Sequence, residues 1–142
     1  MRCKSAVSSA ELCEAARRWL GVPFRHQGRD RRGVDCVGLI IVACRELGLP
    51  AGSVKLRDYG RLPCNGLLEL QLAEHALAAP APEPGTILLM RFGRWPQHVA
   101  LCTGSTLVHS YEAVGKVVEH GYSGKWPGRT VSAWRVPGVV YG

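Results

Sequence analysis

From Cys36 to Leu47 the chain reads Cys-Val-Gly-Leu-Ile-Ile-Val-Ala-Cys-Arg-Glu-Leu, with charge only near its end, at Arg45 and Glu46. An element that is apolar nearly all round has no face to give to water and must be enclosed. The β-branched run would also suit a strand. Its length, and the stop at Gly48-Leu49-Pro50, predict a helix that begins near Asp35 or Cys36. The chain must therefore wrap other structure around an interior helix. That helix is too short to cross a membrane, and no run of eighteen apolar residues exists elsewhere. The 142 residues suffice for one domain with a sizeable core, and we expect a single domain over 1–142.

Upstream, Ser8 with Glu11 has capping-box spacing. Leu12, Cys13, Ala16 and Leu20 then recur at helical spacing before Gly21. A long Gly- and Arg-rich loop, Gly21 to Gly33, leads into Val34-Asp35-Cys36. Long loops in compact domains are often functional. Asn65 is placed to cap a third helix through about Ala79, which Pro80-Ala81-Pro82-Glu83-Pro84-Gly85 ends. The texture then changes. Thr86–Arg91, Gln97–Thr103, Thr106–Ser110, Lys116–His120 and Val131–Val136 are short β-prone runs between glycine-containing turns. Helices first and consecutive strands afterwards predict an α+β fold with an antiparallel sheet.

Cys36 opens the interior helix, where the macrodipole favours a thiolate, the form that attacks carbonyls. His98 and His109 lie on consecutive strand-like runs joined through Gly104-Ser105, a tight-hairpin signal. A pairing centred between residues 103 and 104 places the two imidazoles opposite one another or nearly so, within cross-strand reach. Thiol, imidazole and an orienting third group are the parts of a cysteine hydrolase. Cys13, Cys44 and Cys102 sit among apolar residues and read as buried hydrophobes. No Cys-x-x-Cys pair occurs, which argues against a structural zinc site or a redox pair, and no metal or cofactor is expected. His75 and His120 read as surface residues, and Trp126 and Trp134 as core or rim.

The formal charge of +7 favours polyanions such as nucleic acid, anionic lipid or an acidic wall polymer. No helix-turn-helix or aromatic-spaced RNA-binding pattern accompanies it, so nucleic acid is not the expected partner. The basic loop Arg25 to Gly33 is either a solvated loop or a surface that steers substrate. Met1 to Ser8 has basic residues but no apolar h-region, so no secretory signal is expected and most of the cysteines are expected to stay reduced.

Five pieces in order, Gly21-Val22-Pro23-Phe24-Arg25-His26-Gln27-Gly28, Val34-Asp35-Cys36-Val37-Gly38-Leu39-Ile40, Pro84-Gly85-Thr86-Ile87, Gln97-His98-Val99-Ala100-Leu101 and Leu107-Val108-His109-Ser110, span nearly the whole chain. In these the sequence resembles the NlpC/P60 family of cell-wall cysteine peptidases, and within it the short stand-alone form associated with phage tails. The resemblance implies a papain-like α+β fold, with N-terminal helices packed on a C-terminal antiparallel sheet. It implies Cys36 as nucleophile, His98 as general base and then acid, and His109 as the group that orients His98. The implied reaction is cleavage after D-glutamate in peptidoglycan stem peptides, at the bond to a diamino acid. Asp35 is implied to hold substrate or the active-site loop, with Phe24, His26, Val37 and Gln97 around the substrate; Trp95, beside Pro96 just before the His98 strand, is read as a wall of the cleft or as a packing residue. The expected partners are the stem peptide and phage tail proteins. The expected route is cytoplasmic synthesis, then action at the wall within a phage particle.

The chain departs from the family pattern at three of these positions. Phe24 stands where many members have a tyrosine whose hydroxyl serves the oxyanion region; losing one such donor costs roughly 2.7–4 kcal/mol. Val37 stands for a serine and His26 for a tryptophan, and His26 is a candidate for the missing donor. The phage-associated subgroup shares the Phe-x-His wording, so these changes are not read as inactivation. The other readings are acyl transfer or amide hydrolysis on another amide or lipid, and a non-catalytic tail-assembly or wall-binding module.

Overall fold

The computed structural model describes residues 6–56, 59–60 and 66–142. Helix α1 is Ser9–Arg17, and its capping box forms as the sequence requires: the Ser8 hydroxyl accepts from the Glu11 amide, and the Glu11 carboxylate accepts from the Ser8 amide. Helix α2 is Cys36–Glu46, with every residue from Gly38 to Cys44 buried. Gly48 follows it at φ 68°, a left-handed position that costs glycine little. Helix α3 is Leu67–His75, shorter than the expected helix to Ala79. Its expected cap, Asn65, lies outside the described residues, as do Cys3 and Cys64.

The segment expected to finish α3 is instead strand β1, Leu77–Ala79. It then pairs antiparallel with the last sheet strand, where a free edge is worth more than another helical turn running into Pro80. The five expected strands follow as β2 Ile87–Arg91, β3 Pro96–Cys102, β4 Thr106–Tyr111, β5 Lys116–Gly121 and β6 Thr130–Arg135. They form one antiparallel sheet in the order β1-β6-β2-β3-β4-β5. Two pairings escape the sequence pattern: Val7–Ser8 runs parallel to Val139–Val140, and Arg29–Asp30 folds back on Gly33–Val34. Each is only two residues long, too short to show a period.

Both faces of the sheet are covered. Leu89, Val99, Leu101, Val108 and Val117 pack with the helices against Leu39, Ile40 and Ala43. The alternate positions Leu88, Met90, Ala100, Cys102 and Leu107 form a second cluster, with Tyr122 and Trp126 packed on it. Trp126 belongs to a short helical turn, α4, Trp126–Arg129.

The first turn of α2 is pressed against the loop before it. A methyl group on Gly38 would lie 2.2 Å from the Gly28 carbonyl oxygen and 2.9 Å from Arg29 Nη1. Alanine is intrinsically better than glycine inside a helix, by about 1 kcal/mol. Here the backbone clash wins. Gly38→Ala is expected to destabilise the protein by about 1–3 kcal/mol, read as a lower urea or thermal midpoint. A raised midpoint would mean that the loop is not seated on the helix.

Candidate active site

Cys36 is the first residue of α2, and Asp35 is its N-cap. The Asp35 carboxylate is buried and held by four donors. Oδ1 accepts from the Gly38 amide at 2.8 Å and from Arg29 Nη1 at 3.2 Å. Oδ2 accepts from the Gln27 amide at 2.8 Å and from the Tyr59 hydroxyl. Gln27 adopts φ 59° to aim that amide. Arg29 also donates to the Tyr59 hydroxyl at 2.8 Å and to the Leu56 carbonyl at 2.9 Å. With its lone pairs so engaged, Asp35 clamps the loop 27–29 and residue 59 to the helix start. Of its two implied roles, this geometry is that of the loop holder. The loop is also tied to the sheet, because the buried Ser110 hydroxyl on β4 donates to the Val34 carbonyl at 2.8 Å.

Cys36 and His98 line one cavity of about 160 Å³, together with Phe24, Gln97, Tyr59 and Tyr111. The backbone amide of Val99, next to His98, is close enough to the Cys36 sulfur to favour its thiolate. Burial has the larger effect. Burial first, and the Asp35 charge second, push the Cys36 thiol up to about 12. Desolvation of a charged sulfur thus opposes the thiolate preference that the helix terminus supplies. His98 is 2% exposed, and burial, then His109, then the Arg129 charge hold it well below the ordinary histidine range.

His98 and His109 meet across the strands as expected, nearly opposite, with the register two residues from a pairing centred between 103 and 104. Leu101 lies opposite Val108 and Cys102 opposite Leu107. Continued along the ladder, this puts His109 opposite Ala100, so the two histidines are diagonal neighbours. A shift of two residues keeps both side chains on one face, where a shift of one would have parted them. His98 Nε2 and His109 Nδ1 are 2.7 Å apart. Burial, then His120, push His109 down to about 3.

His120, read from the sequence as a surface residue, is half-buried and lies 2.7 Å from His109 through their Nε2 atoms. Phe92 stacks on the His98 ring at 4.7 Å, and Trp126 covers His109 and His120 at 5.1 and 4.8 Å. Tyr59, Phe92, Tyr111, His120 and Trp126 are thus site residues that sequence reasoning missed. Only His120 left a signal: it falls eleven residues after His109, as His109 falls eleven after His98.

The remaining expected site residues divide. Phe24 and Gln97 line the cavity. His26, Val37 and Trp95 do not. His26 packs edge-on to Tyr59 at 5.5 Å, with its Nε2 3.3 Å from the Gln27 side-chain amide. Val37 lines a separate apolar groove of about 70 Å³ with residues of α2 and α3, because the helical turn carries it away from Cys36. Trp95 is 45% exposed under the Arg94 guanidinium. Among the described residues no three of His, Cys, Asp and Glu are placed to hold a metal ion, and no helix is long and apolar enough to cross a membrane.

The family model for the NlpC/P60 family matches residues 21–135. The Escherichia coli (strain K12) "Probable endopeptidase NlpC" is 43% identical over 37 residues, which are 26% of this chain and 24% of that protein. An NlpC/P60 family protein from Bacillus cereus ATCC 10987 superposes with a TM-score of 0.69 at 17% identity, over 93% of this chain and 41% of that one. The NlpC/p60 domain of the peptidoglycan hydrolase SagA superposes with a TM-score of 0.62 at 20% identity, over 92% of this chain and all of that domain. This chain therefore spans a quarter to two fifths of the first two proteins, and the structural likenesses speak to its fold.

Proposed function

The chain belongs to the NlpC/P60 family, and on that premise we propose that it is a cysteine endopeptidase that cleaves peptidoglycan stem peptides at the D-glutamyl–diamino-acid bond. The observation that carries this reading is the meeting of Cys36 and His98 in one cavity, with His109 hydrogen-bonded behind His98.

The residues support the following chemistry. The free ring nitrogen of His98 takes the Cys36 proton as the sulfur attacks the scissile carbonyl. An S–C bond forms and the carbonyl becomes an oxyanion. The Cys36 amide, first in α2 and without an intrahelical acceptor, faces that charge. Collapse breaks the C–N bond, and His98 gives its proton to the leaving amine. Water, deprotonated by His98, then hydrolyses the thioester, and the proton returns to sulfur. Burial pushes the thiol up, which favours proton transfer to His98 in step with the attack.

Association with a phage or prophage tail, and action at the wall as part of a particle, belong to the same proposal. They rest on the Phe24-Arg25-His26 wording. The test is incubation of the reduced protein with purified muropeptides and mass analysis of the products. We expect stem peptides cut after D-glutamate, and intact stem peptides would sink the proposal. Cleavage of lipid or other amides in their place would favour the acyl-transfer reading. Wall binding without cleavage of any substrate would favour the non-catalytic module.

A further inference from the structure

Beyond the three residues implied by the family resemblance, we infer that His120 is a positioning residue, the terminal imidazole of a three-ring chain that fixes which nitrogen of His98 is free to accept the thiol proton. The inference rests on the proposed peptidase chemistry for its kinetic consequence, but not for its geometry.

The chain runs His98 Nε2 to His109 Nδ1 at 2.7 Å, His109 Nε2 to His120 Nε2 at 2.7 Å, and His120 Nδ1 to the Gly121 carbonyl oxygen at 3.0 Å. A carbonyl oxygen only accepts, so His120 Nδ1 carries a proton and donates it. A neutral His120 then presents a lone pair at Nε2. His109 must donate to it from its own Nε2, which leaves His109 Nδ1 as an acceptor. His98 must donate from Nε2, and its Nδ1 keeps the lone pair. One fixed acceptor at the far end thus sets the tautomer of three rings in series, and it leaves free the nitrogen that catalysis needs. A neutral His109 without this anchor has two tautomers of similar energy. In one of them its Nδ1–H faces His98 Nε2, forces the proton of His98 onto Nδ1, and removes the base.

The fold holds His120 to this task. Along β5 it stands opposite Leu107, diagonal to His109 on the same face of the sheet. Its neighbour Glu119 points the other way and is anchored by Arg17 at 3.0 Å and by the Thr106 hydroxyl at 2.6 Å, which fixes the strand's rotation. Trp126 lies against the His120 ring at 4.8 Å and against His109 at 5.1 Å. The packed aromatic roof limits the water that would otherwise satisfy His109 Nε2 from either side.

The test joins nitrogen-15 NMR of the imidazoles to steady-state kinetics on muropeptides, for wild type, His120→Leu and His120→Gln. In wild type we expect His98 and His109 both protonated on Nε2 and bare on Nδ1. His120→Leu is expected to scramble the two tautomers. It should also lower kcat about 10–100-fold with KM unchanged, the scale on which partners that fix an imidazole act. His120→Gln, whose amide oxygen accepts at a similar reach, should restore most of kcat and the wild-type tautomers. His98 or His109 protonated on Nδ1 in wild type would overturn the inference, whether or not His120→Leu folds. So would a His120→Leu variant with wild-type kcat and tautomers. A wild type inactive on muropeptides would defeat the proposed function, and the NMR arm would still decide the tautomer chain.

Discussion

Cys36→Ala is expected to abolish peptide cleavage, with kcat falling at least about 10⁴-fold, while the unfolding midpoint stays within a few degrees of wild type. Removing the nucleophile of a hydrolytic triad leaves only the rate supplied by binding and the oxyanion site. The fold should tolerate the change. The sulfur lines a cavity instead of filling the core, and the donors at the helix start converge on Asp35, which remains. Cys36→Ser is expected to be nearly as inactive. His98 is held well below its ordinary range by burial, by His109 and by Arg129, and so is a weak base for a hydroxyl. Alanine and serine variants with undiminished product formation would move the nucleophile elsewhere. Loss of activity with a collapsed midpoint would mean that Cys36 supports the fold more than the chemistry.

The second large effect is loss of stability in mild acid. In the unfolded chain the histidines titrate near about 6.5. In the folded protein His109 is pushed down to about 3, chiefly by burial and then by His120, and His98 is depressed as well. Between these values the unfolded state binds protons that the folded state refuses. Stability therefore falls as pH drops below about 6.5, by up to about 1.4 kcal/mol per pH unit for each such imidazole. For His109 the loss reaches on the order of 3–5 kcal/mol near pH 3, a large share of a typical domain's stability. Glu119 acts in the same direction at the acid end. The Arg17 hydrogen bond, and behind it the Thr106 hydroxyl, hold its carboxylate below the usual range, so its stabilisation is lost as pH falls. Urea unfolding followed from pH 7 to pH 4 should show a steadily falling midpoint. His109→Gln should flatten about half of the slope above pH 5, the rest belonging to His98. A midpoint independent of pH over that range would mean that the imidazoles titrate freely and are not enclosed.

Much of the scaffold was legible because its signals are local. The capping box at Ser8 and Glu11, the stop at Gly48 and the turn at Gly104 each depend on residues within one or two turns of themselves, and all three formed. The end of α3 was misjudged because its last residues had a better partner far away, the exposed edge of β6. At the site, Phe24 and Gln97 reached the cavity, whereas His26, Val37 and Trp95 stood close to it in sequence but not in space. Val37 is the instructive case: one step along a helix turns a side chain by about 100°, so the neighbour of a site residue faces elsewhere.

The sequence by itself determined that an apolar helix starting at Cys36 lies inside an α+β domain, and it singled out Cys36, His98 and His109 for their chemistry. Periodicity and residue type are enough for that, since both are properties of short stretches. Only the tertiary structure decided that the two histidines meet diagonally, that Tyr59 and Asp35 lock the loop at the helix start, and that His120 completes the row of imidazoles. Those contacts depend on strand register and on residues far apart in the chain. Burial there opposes the local preference as well: a helix terminus alone favours the thiolate, and desolvation of the sulfur pushes the thiol up.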